Sequence, residues 1–300
     1  MKRYFICTAV MMAILVLQGC KKNRHKDLFY DIKISASIGN LSKVATNNDG
    51  SQYFENNDEI SVYAWVGDKT VAPSAGERVV NNSVNRLNNG VWTASPQMLW
   101  NTTTDPHNFI GIYPKTETPV DNLAADIYRT NENEPALNDL LVATNYDGLT
   151  GDMKSKVPLM FDHVMAKVIV NLEFRNQWGG GAPTVASVKL LNVAKEATVN
   201  YLTKTVTVDA GANRSELYLI EDSANRSYSY ILIPQTSVNA VIIGIDGTDY
   251  TYTSNRDFIF ESGKYTTINL IVGRDQIDVA SITINDWEEG NEYNGGEALD

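Results

Sequence analysis

The sequence predicts an all-β protein in which two tandem antiparallel β-sandwiches follow an export signal. Two observations carry the fold class. Apolar and polar residues alternate with a period of two along many short stretches, which is typical of strands with one buried face. Turn signals separate these stretches and helical patterns are scarce, which favours sandwiches over a parallel α/β sheet.

The clearest strand candidates are the stretches EISVYAWV and VMAKVIVNLEF. In the first, Ile60, Val62 and Ala64 share one face, and the second repeats the pattern over residues 164–174. Asp246-Gly247 lies between two alternating stretches and predicts a tight hairpin, because such turns need positive φ. The stretches TPVDNLAADIY and EPALNDLLVA are compatible with short helices or with loops.

A polar stretch, NYDGLTGDMKSKVP, marks a seam before the longest alternating strand. A mature chain of about 280 residues is long for one core, so two domains are expected. We therefore predict one sandwich over residues 27–158 and a second over residues 159–300.

The N-terminus has the features of a secretory signal. Lys2 and Arg3 precede an apolar run that is too short to remain as a membrane-spanning helix. The segment Leu17-Gln18-Gly19-Cys20 then resembles the lipobox of bacterial lipoproteins. That resemblance implies a signal peptide over residues 1–19, cleavage between Gly19 and Cys20, and lipid on the cysteine. Ordinary cleavage near Gly19, which leaves a plain thiol, is the alternative.

Cysteine usage favours the lipid anchor. Cys7 leaves with the signal, so the mature chain keeps a single cysteine, Cys20, and forms no internal disulfide. More than one acyl chain on Cys20 would hold the protein at a membrane, where one chain alone binds marginally. Residues 20–26 then form a basic lipidated tether, and the outer membrane is the expected partner.

Charge and motifs argue against several classes of function. The formal net charge of −11 becomes −13 when Lys2 and Arg3 leave with the signal, and such an acidic chain repels a nucleic-acid backbone. The histidines at 25, 107 and 163 show no metal-ligand spacing, and the sequence has no P-loop, GxGxxG or GxSxG motif. We expect no enzyme, no cofactor and no metal, and we interpret His163 as a structural histidine.

Trp92 and Trp100 lie in an asparagine-rich stretch, residues 79–108. One interpretation is a platform on which glycan rings stack, in a glycan-binding surface lipoprotein that does not polymerise. The other is that both rings anchor the ends of a long loop onto the sandwich. Because tryptophans in β proteins are mostly packed, we prefer the second interpretation.

Several segments follow one another in a characteristic order. YDIKISASIG follows the lipobox, then come LSKVAT and FENNDEISVYAW, then VPLMFDHVMAKVIVNLEF, and finally FIFESGKYTTINLIV with SITINDWEEG. This series resembles the fimbrillin family of Bacteroidetes-type lipoproteins, the pilins and accessory subunits of type V pili. Its most specific pieces are residues 161–167 and the two closing segments.

The resemblance implies two β-sandwiches of Greek-key, transthyretin-like type in a lipoprotein of the surface fimbrium. In the family, an Arg- or Lys-specific protease cuts after the first strand, and a strand of a neighbouring subunit fills the vacated groove. The matching basic residue here is Lys43, where many relatives carry arginine. The implied partners are other fimbrial subunits and, in adhesion, a host or bacterial surface ligand.

The alternation of the first strand supports this mechanism independently. Ile32, Ile34, Ala36 and Ile38 alternate with polar residues, which predicts a half-buried strand. Its loss would expose an apolar groove and unpaired backbone groups, a template for another strand. Burying these side chains contributes about 5–8 kcal/mol before entropy costs, at roughly 1.5–3 kcal/mol per large side chain.

The C-terminal sequence bears on the role of the subunit. After Trp287 the chain is acidic, contains glycine and lacks apolar alternation, so it would be a poor donor strand. We therefore expect a tip or accessory subunit in preference to a main stalk pilin.

Asp222-Ser223-Ala224 resembles the three-residue O-glycosylation signal of exported proteins in this bacterial group. The resemblance implies a glycan on Ser223, and an unmodified surface turn is the alternative.

Overall fold

The structure is a computed structural model that describes residues 30–39, 53–151, 156–179, 181–224 and 226–286. Over these residues the chain is nearly all β, as the alternation predicted. Strands of the first half are β1 (Ile34–Ile38), β2 (Glu59–Val66), β3 (Arg78–Asn88), β4 (Val91–Ser95), β5 (His107–Tyr113), β6 (Asp126–Arg129), β7 (Leu141–Leu149) and β8 (Val157–His163).

The second half of the described chain continues in the same way. Its strands are β9 (Ala166–Phe174), β10 (Val185–Ala194), β11 (Glu196–Asn200), β12 (Thr205–Thr207), β13 (Arg214–Tyr218), β14 (Ile220–Ser223), β15 (Ser227–Leu232), β16 (Gln235–Ile245), β17 (Thr248–Phe260), β18 (Lys264–Val272) and β19 (Ile277–Asp286). In the first half of the described chain, two short 3₁₀ helices span Ala75–Glu77, before β3, and Pro135–Asn138, before β7.

Within the described residues, the strands pair into four sheets. The largest has the order β1-β8-β7-β5-β2-β3-β4, and the others are β14-β15-β9-β18-β19, β13-β10-β16-β17 and β12-β11-β6. Pairing is antiparallel, as predicted, except in two places: β1 runs parallel to β8, and β9 runs parallel to β18. Each exception joins segments that are far apart in the sequence, because parallel neighbours need a long crossover connection.

In the part of the chain that the structure describes, buried apolar side chains form three clusters. The C-terminal core packs the five-stranded sheet against the four-stranded sheet. The central core takes side chains from both halves of the chain, among them Tyr63, Ile110, Val199 and Ile233. The N-terminal core lies on one face of the seven-stranded sheet and consists of Ile32, Ile34, Ile38, Ile60, Val62, Ala64, Val80, Met98, Trp100, Phe109, Leu141, Ala143, Val157, Leu159 and Phe161.

Strand β2 spans the predicted stretch EISVYAWV, but both of its faces are buried. Ile60, Val62 and Ala64 enter the N-terminal core, while Tyr63 and Trp65 enter the central core. β2 lies between β5 and β3 in the sheet, so neither of its edges is open to solvent. This strand therefore joins the N-terminal and central cores.

The chain passes from the seven-stranded sheet to the five-stranded sheet at Val164–Met165, between β8 and β9. The predicted boundary after residue 158 lies inside β8. The polar stretch that suggested this boundary contains the end of β7, and β6 pairs with β11 across the two halves. The division into two domains stays a prediction.

The hairpin turn predicted at Asp246-Gly247 is present in the structure. Asp246 and Gly247 have φ of 50° and 77° and join β16 to β17, which confirms the hairpin. Of the two ambiguous stretches, the first ends in β6 and the second starts with the 3₁₀ helix Pro135–Asn138. Among the described residues, no helix is long and apolar enough to cross a membrane.

Candidate functional site

The candidate site is the groove that holds β1 at the edge of the seven-stranded sheet. β1 runs parallel to β8, with Ile34 opposite Val157. The Val157 N–H donates to the carbonyl of Lys33 at 2.7 Å, and the Gly39 N–H donates to the carbonyl of Phe161 at 2.8 Å. Strand β8 therefore forms one wall of the groove along the whole length of β1.

A second wall pairs with the residues just before β1. The Ile32 N–H donates to the carbonyl of Met98 at 2.9 Å, and the Trp100 N–H donates to the carbonyl of Tyr30 at 3.2 Å. These bonds run in the antiparallel sense. The segment 98–100 thus holds the start of the strand, while β8 holds its remainder.

The side chains of the strand divide between core and solvent as the alternation predicted. Ile32, Ile34 and Ile38 are exposed to 3%, 2% and 5%, and all three belong to the N-terminal core. Ala36 is half-buried against the same core. The side chains between them are exposed, and they belong to Lys33, Ser35 and Ser37.

Aromatic rings close the floor of the groove behind β8. The Phe161 ring lies 5.2 Å from the Phe54 ring, edge to face. It also lies against Gly111 of β5, where an added Cβ would come within 2.6 Å of Phe161 Cζ. A glycine at 111 is therefore required for this ring to fill the space under the strand.

Trp100 lies inside the N-terminal core. It is 3% exposed, and its ring packs edge to face on His107 at 4.9 Å and on Phe109 at 5.6 Å between centroids. Burial lowers the pKa of His107 below its ordinary value, because the charged imidazole would lose its hydration. Trp92 is half-buried, with its ring 5.2 Å from Phe54. In this arrangement Trp100 offers no ring face to a glycan.

Three predicted site residues, Gly19, Cys20 and Lys43, lie outside the described residues, as does the segment 288–300. The described chain leaves the groove at Gly39 and resumes at Tyr53, so Lys43 belongs to the segment between them. Ser223 lies at the end of the edge strand β14, with its side chain exposed.

One titratable group near the groove, His163 at the end of β8, has a charged partner. His163 Nδ1 lies 2.7 Å from Asp139 Oδ1, which fits the interpretation of a structural histidine. Among the described residues, no group of three or more histidine, cysteine, aspartate or glutamate side chains is placed to hold a metal ion.

Sequence reasoning missed the second wall and a buried arginine. Met98 and Trp100 are apolar positions two residues apart, and this spacing was the available signal for a short strand-like segment. Nothing in the sequence around Arg78 indicated that it is buried, since the loop that covers its guanidinium lies more than 40 residues further along the chain. It donates to the carbonyls of Val120 at 2.6 Å and Asp121 at 2.8 Å and lies 5.4 Å from the ring centre of Tyr63.

Comparison with known proteins places this architecture in a family. The profile described as Fimbrillin-like matches residues 42–287, which is most of the chain. The chain therefore belongs to the fimbrillin-like family. The matched range begins after β1. No curated protein sequence matches the chain.

Solved structures from Bacteroides species share the fold at low sequence identity. A Bacteroides ovatus protein assigned to cell adhesion has a TM-score of 0.65 at 18% identity, and the match covers 88% of this chain and 99% of that one. A Bacteroides uniformis protein with the same assignment has a TM-score of 0.64 at 18% identity, covering 86% and 98%. A fimbrial protein from Bacteroides vulgatus has a TM-score of 0.51 at 13% identity, covering 85% and 99%.

Proposed function

We propose that this chain is a fimbrial subunit that assembles at the cell surface by protease-triggered β-strand exchange and takes part in adhesion. The observation that carries the proposal is β1, a buried edge strand held between two walls. The segment that follows it contains Lys43. Membership of the fimbrillin-like family supports assembly with other fimbrial subunits.

The position of β1 makes its replacement physically reasonable. Among the described residues, the backbone of the strand bonds only to β8 and to the segment 98–100, and the rest of the sheet, from β8 to β4, is connected without it. Removal would leave an unpaired edge on β8 and an apolar slot in place of Ile32, Ile34 and Ile38. An extended segment with matching alternation would restore both backbone bonds and buried area.

Export as a lipoprotein is the second part of the proposal. Gly19 and Cys20 form the processing site, and the lipid on Cys20 anchors the precursor to the outer membrane before assembly. Mass spectrometry of the N-terminus of protein purified from cells tests this. An acylated cysteine is expected, and an unmodified terminus at any other residue would contradict the anchor.

A tip or accessory position is the third part. β19 is paired with β18 along its whole length, from Ile277 opposite Val272 to Asp286 opposite Lys264. It therefore completes its own sheet and is not free to enter a neighbour. The acidic segment 288–300 lacks the apolar alternation of a donor strand. A subunit of this kind accepts a strand from a neighbour but donates none. It would therefore lie at the end of a filament or be attached as an accessory subunit.

Surface modification at Ser223 is compatible with this role. The hydroxyl is exposed beside a turn at the sheet edge, where a transferase has access. We propose that a glycan is attached there. Loss of a glycan mass shift in Ser223→Ala protein purified from the native host tests the assignment.

Limited proteolysis tests strand exchange directly. Trypsin under limiting conditions should cut after Lys43, because the sequence that follows it, VATNNDGSQ, has the small and polar composition at which proteases preferentially cut. The cut protein should keep its fold and take up a labelled peptide that copies residues 30–39, whereas the uncut protein should not. Lys43→Gln is the matched control. Unfolding on cleavage, or equal uptake by the uncut protein, would overturn the proposal.

A further inference from the structure

The strand in the groove is bonded on both of its edges, and the two edges have different partners. Backbone groups of Lys33 and Gly39 face β8, where they bond to Val157 and Phe161. Those of Tyr30 and Ile32 face the opposite way: Tyr30 bonds to Trp100 at 3.2 Å, and Ile32 bonds to Met98 at 2.9 Å. The odd-numbered residues from Lys33 to Gly39 therefore direct their backbone groups at β8. The even-numbered residues Tyr30 and Ile32 direct theirs at the segment 98–100.

The two walls also differ in direction. The strand is parallel to β8 and antiparallel to the segment 98–100. Parallel and antiparallel ladders have different hydrogen-bond patterns, evenly spaced and slanted in one and alternately close and wide in the other. A strand that entered the groove backwards would be antiparallel to β8 and parallel to the segment 98–100. Its backbone groups would then miss the hydrogen-bonding positions of both walls.

We propose that the groove is directional: it accepts a partner strand only when that strand runs parallel to β8 and bonds to the segment 98–100 with its first residues. This inference rests on the proposed strand exchange and specifies the partner. The partner is an extended segment of a neighbouring subunit whose core-facing side chains follow the order large, large, small, large. Ile32, Ile34, Ala36 and Ile38 show that order in the bound strand.

Side chains reinforce the direction set by the backbone. Reversing the order puts an alanine in the place of Ile34, which is 2% exposed and fills the core opposite Val157. It also puts an isoleucine in the half-buried place of Ala36. The reversed copy of residues 30–39 turns its apolar side chains to the core only when it is shifted by one residue, and an alanine then takes the place of Ile34 or, with the shift in the other direction, of Ile32.

The backbone pattern predicts which amide groups of the partner matter. In the parallel register, the Ser35 N–H points at β8 between Val157 and Leu159. The Ala36 N–H points away from β8, towards the side on which β1 is the edge of the described sheet. A methyl group on the Ser35 nitrogen therefore intrudes on the wall, and one on the neighbouring Ala36 nitrogen does not.

Peptide exchange into the cut protein tests the inference. The mature chain is cut after Lys43 and incubated with excess fluorescent peptide, and the label that co-elutes with the protein on gel filtration is measured. Four peptides are compared: the copy of residues 30–39, its reversed sequence, the copy methylated on the Ser35 nitrogen, and the copy methylated on the Ala36 nitrogen.

We expect the unmodified copy to exchange and the reversed peptide to fail. Methylation at Ser35 should weaken uptake by about tenfold or more, since it removes a hydrogen bond and adds a clash, while methylation at Ala36 should change uptake by less than about threefold. Equal uptake of the direct and reversed peptides, or equal loss at both methylated positions, would overturn directionality and leave strand exchange standing. Failure of the unmodified copy would overturn strand exchange itself.

Discussion

The packing of Ile34 sets how firmly the groove holds its strand, and truncating this side chain tests the account of the site. Ile34→Ala removes three buried carbon atoms from a side chain that is 2% exposed. At about 0.8 kcal/mol for each buried methylene-sized group, the transfer contribution is about 2.4 kcal/mol. Incomplete collapse of the resulting cavity adds on the order of 1 kcal/mol, so the expected loss of stability is about 3 kcal/mol.

The assay is urea denaturation of the intact mature protein, with hydrogen exchange of the β8 amides as a local readout. Ser35→Ala is the matched control on the same strand, because Ser35 is exposed and its substitution should stay within about 0.5 kcal/mol. In the cut protein, the Ile34→Ala strand should dissociate about a hundredfold faster, the kinetic equivalent of about 3 kcal/mol. If both variants behave alike, β1 is not packed into the core and the reasoning is refuted.

Three further predictions concern the scaffold. Gly111→Ala should lower the free energy of unfolding by about 1–3 kcal/mol, because the new Cβ would lie 2.6 Å from Phe161 Cζ; thermal denaturation measures this. Gly247→Ala should cost about 1–2 kcal/mol in the same assay, since φ there is +77°, whereas Gly211→Ala, with open space around it and no positive φ, should be nearly neutral. Burial raises the pKa of Tyr113 to about 12, so its contribution to stability should be full below about pH 10 and lost as the pH rises towards 12. Urea titrations at a series of pH values check the last prediction, and a midpoint unchanged between pH 9 and 12 would contradict it.

Much of the strand content could be predicted from the sequence because alternation is a local property. β2 and β9 occupy stretches singled out by their period of two, and the Asp246-Gly247 turn joins the expected hairpin. These features depend on neighbouring residues in the chain. The burial of Ile32, Ile34 and Ile38 followed from the same rule.

Partner choice between strands could not be predicted in the same way. β1 pairs with β8 and β6 pairs with β11 across long separations in the sequence, and no local pattern encodes which distant edge a strand will meet. The boundary predicted after residue 158 falls inside β8, a strand of the seven-stranded sheet. The polar residues of the seam lie partly in β7, where a strand can carry polar side chains on its exposed face.

The burial of individual polar and aromatic side chains was the second feature that could not be predicted from the sequence. Trp100 and Arg78 lie in stretches that read as polar or mixed, and their environment comes from elements elsewhere in the chain. Trp100 packs against His107 and Phe109 of β5, and Arg78 bonds to the carbonyl of Val120. The sequence shows such residues, but only the fold shows which of them face inwards.

If the subunit assembles by the proposed strand exchange, its groove must meet two requirements that usually conflict. Before cleavage, β1 must complete the N-terminal core, and the three isoleucines at 3%, 2% and 5% exposure meet that need. After cleavage, the strand must be able to leave without dismantling the sheet. Its place at the edge meets this second need, because β8 stays paired with β7 and β2 stays paired with β5 and β3. In the proposed mechanism, the covalent link through the segment that contains Lys43 is what separates a stable precursor from a subunit ready to exchange its strand.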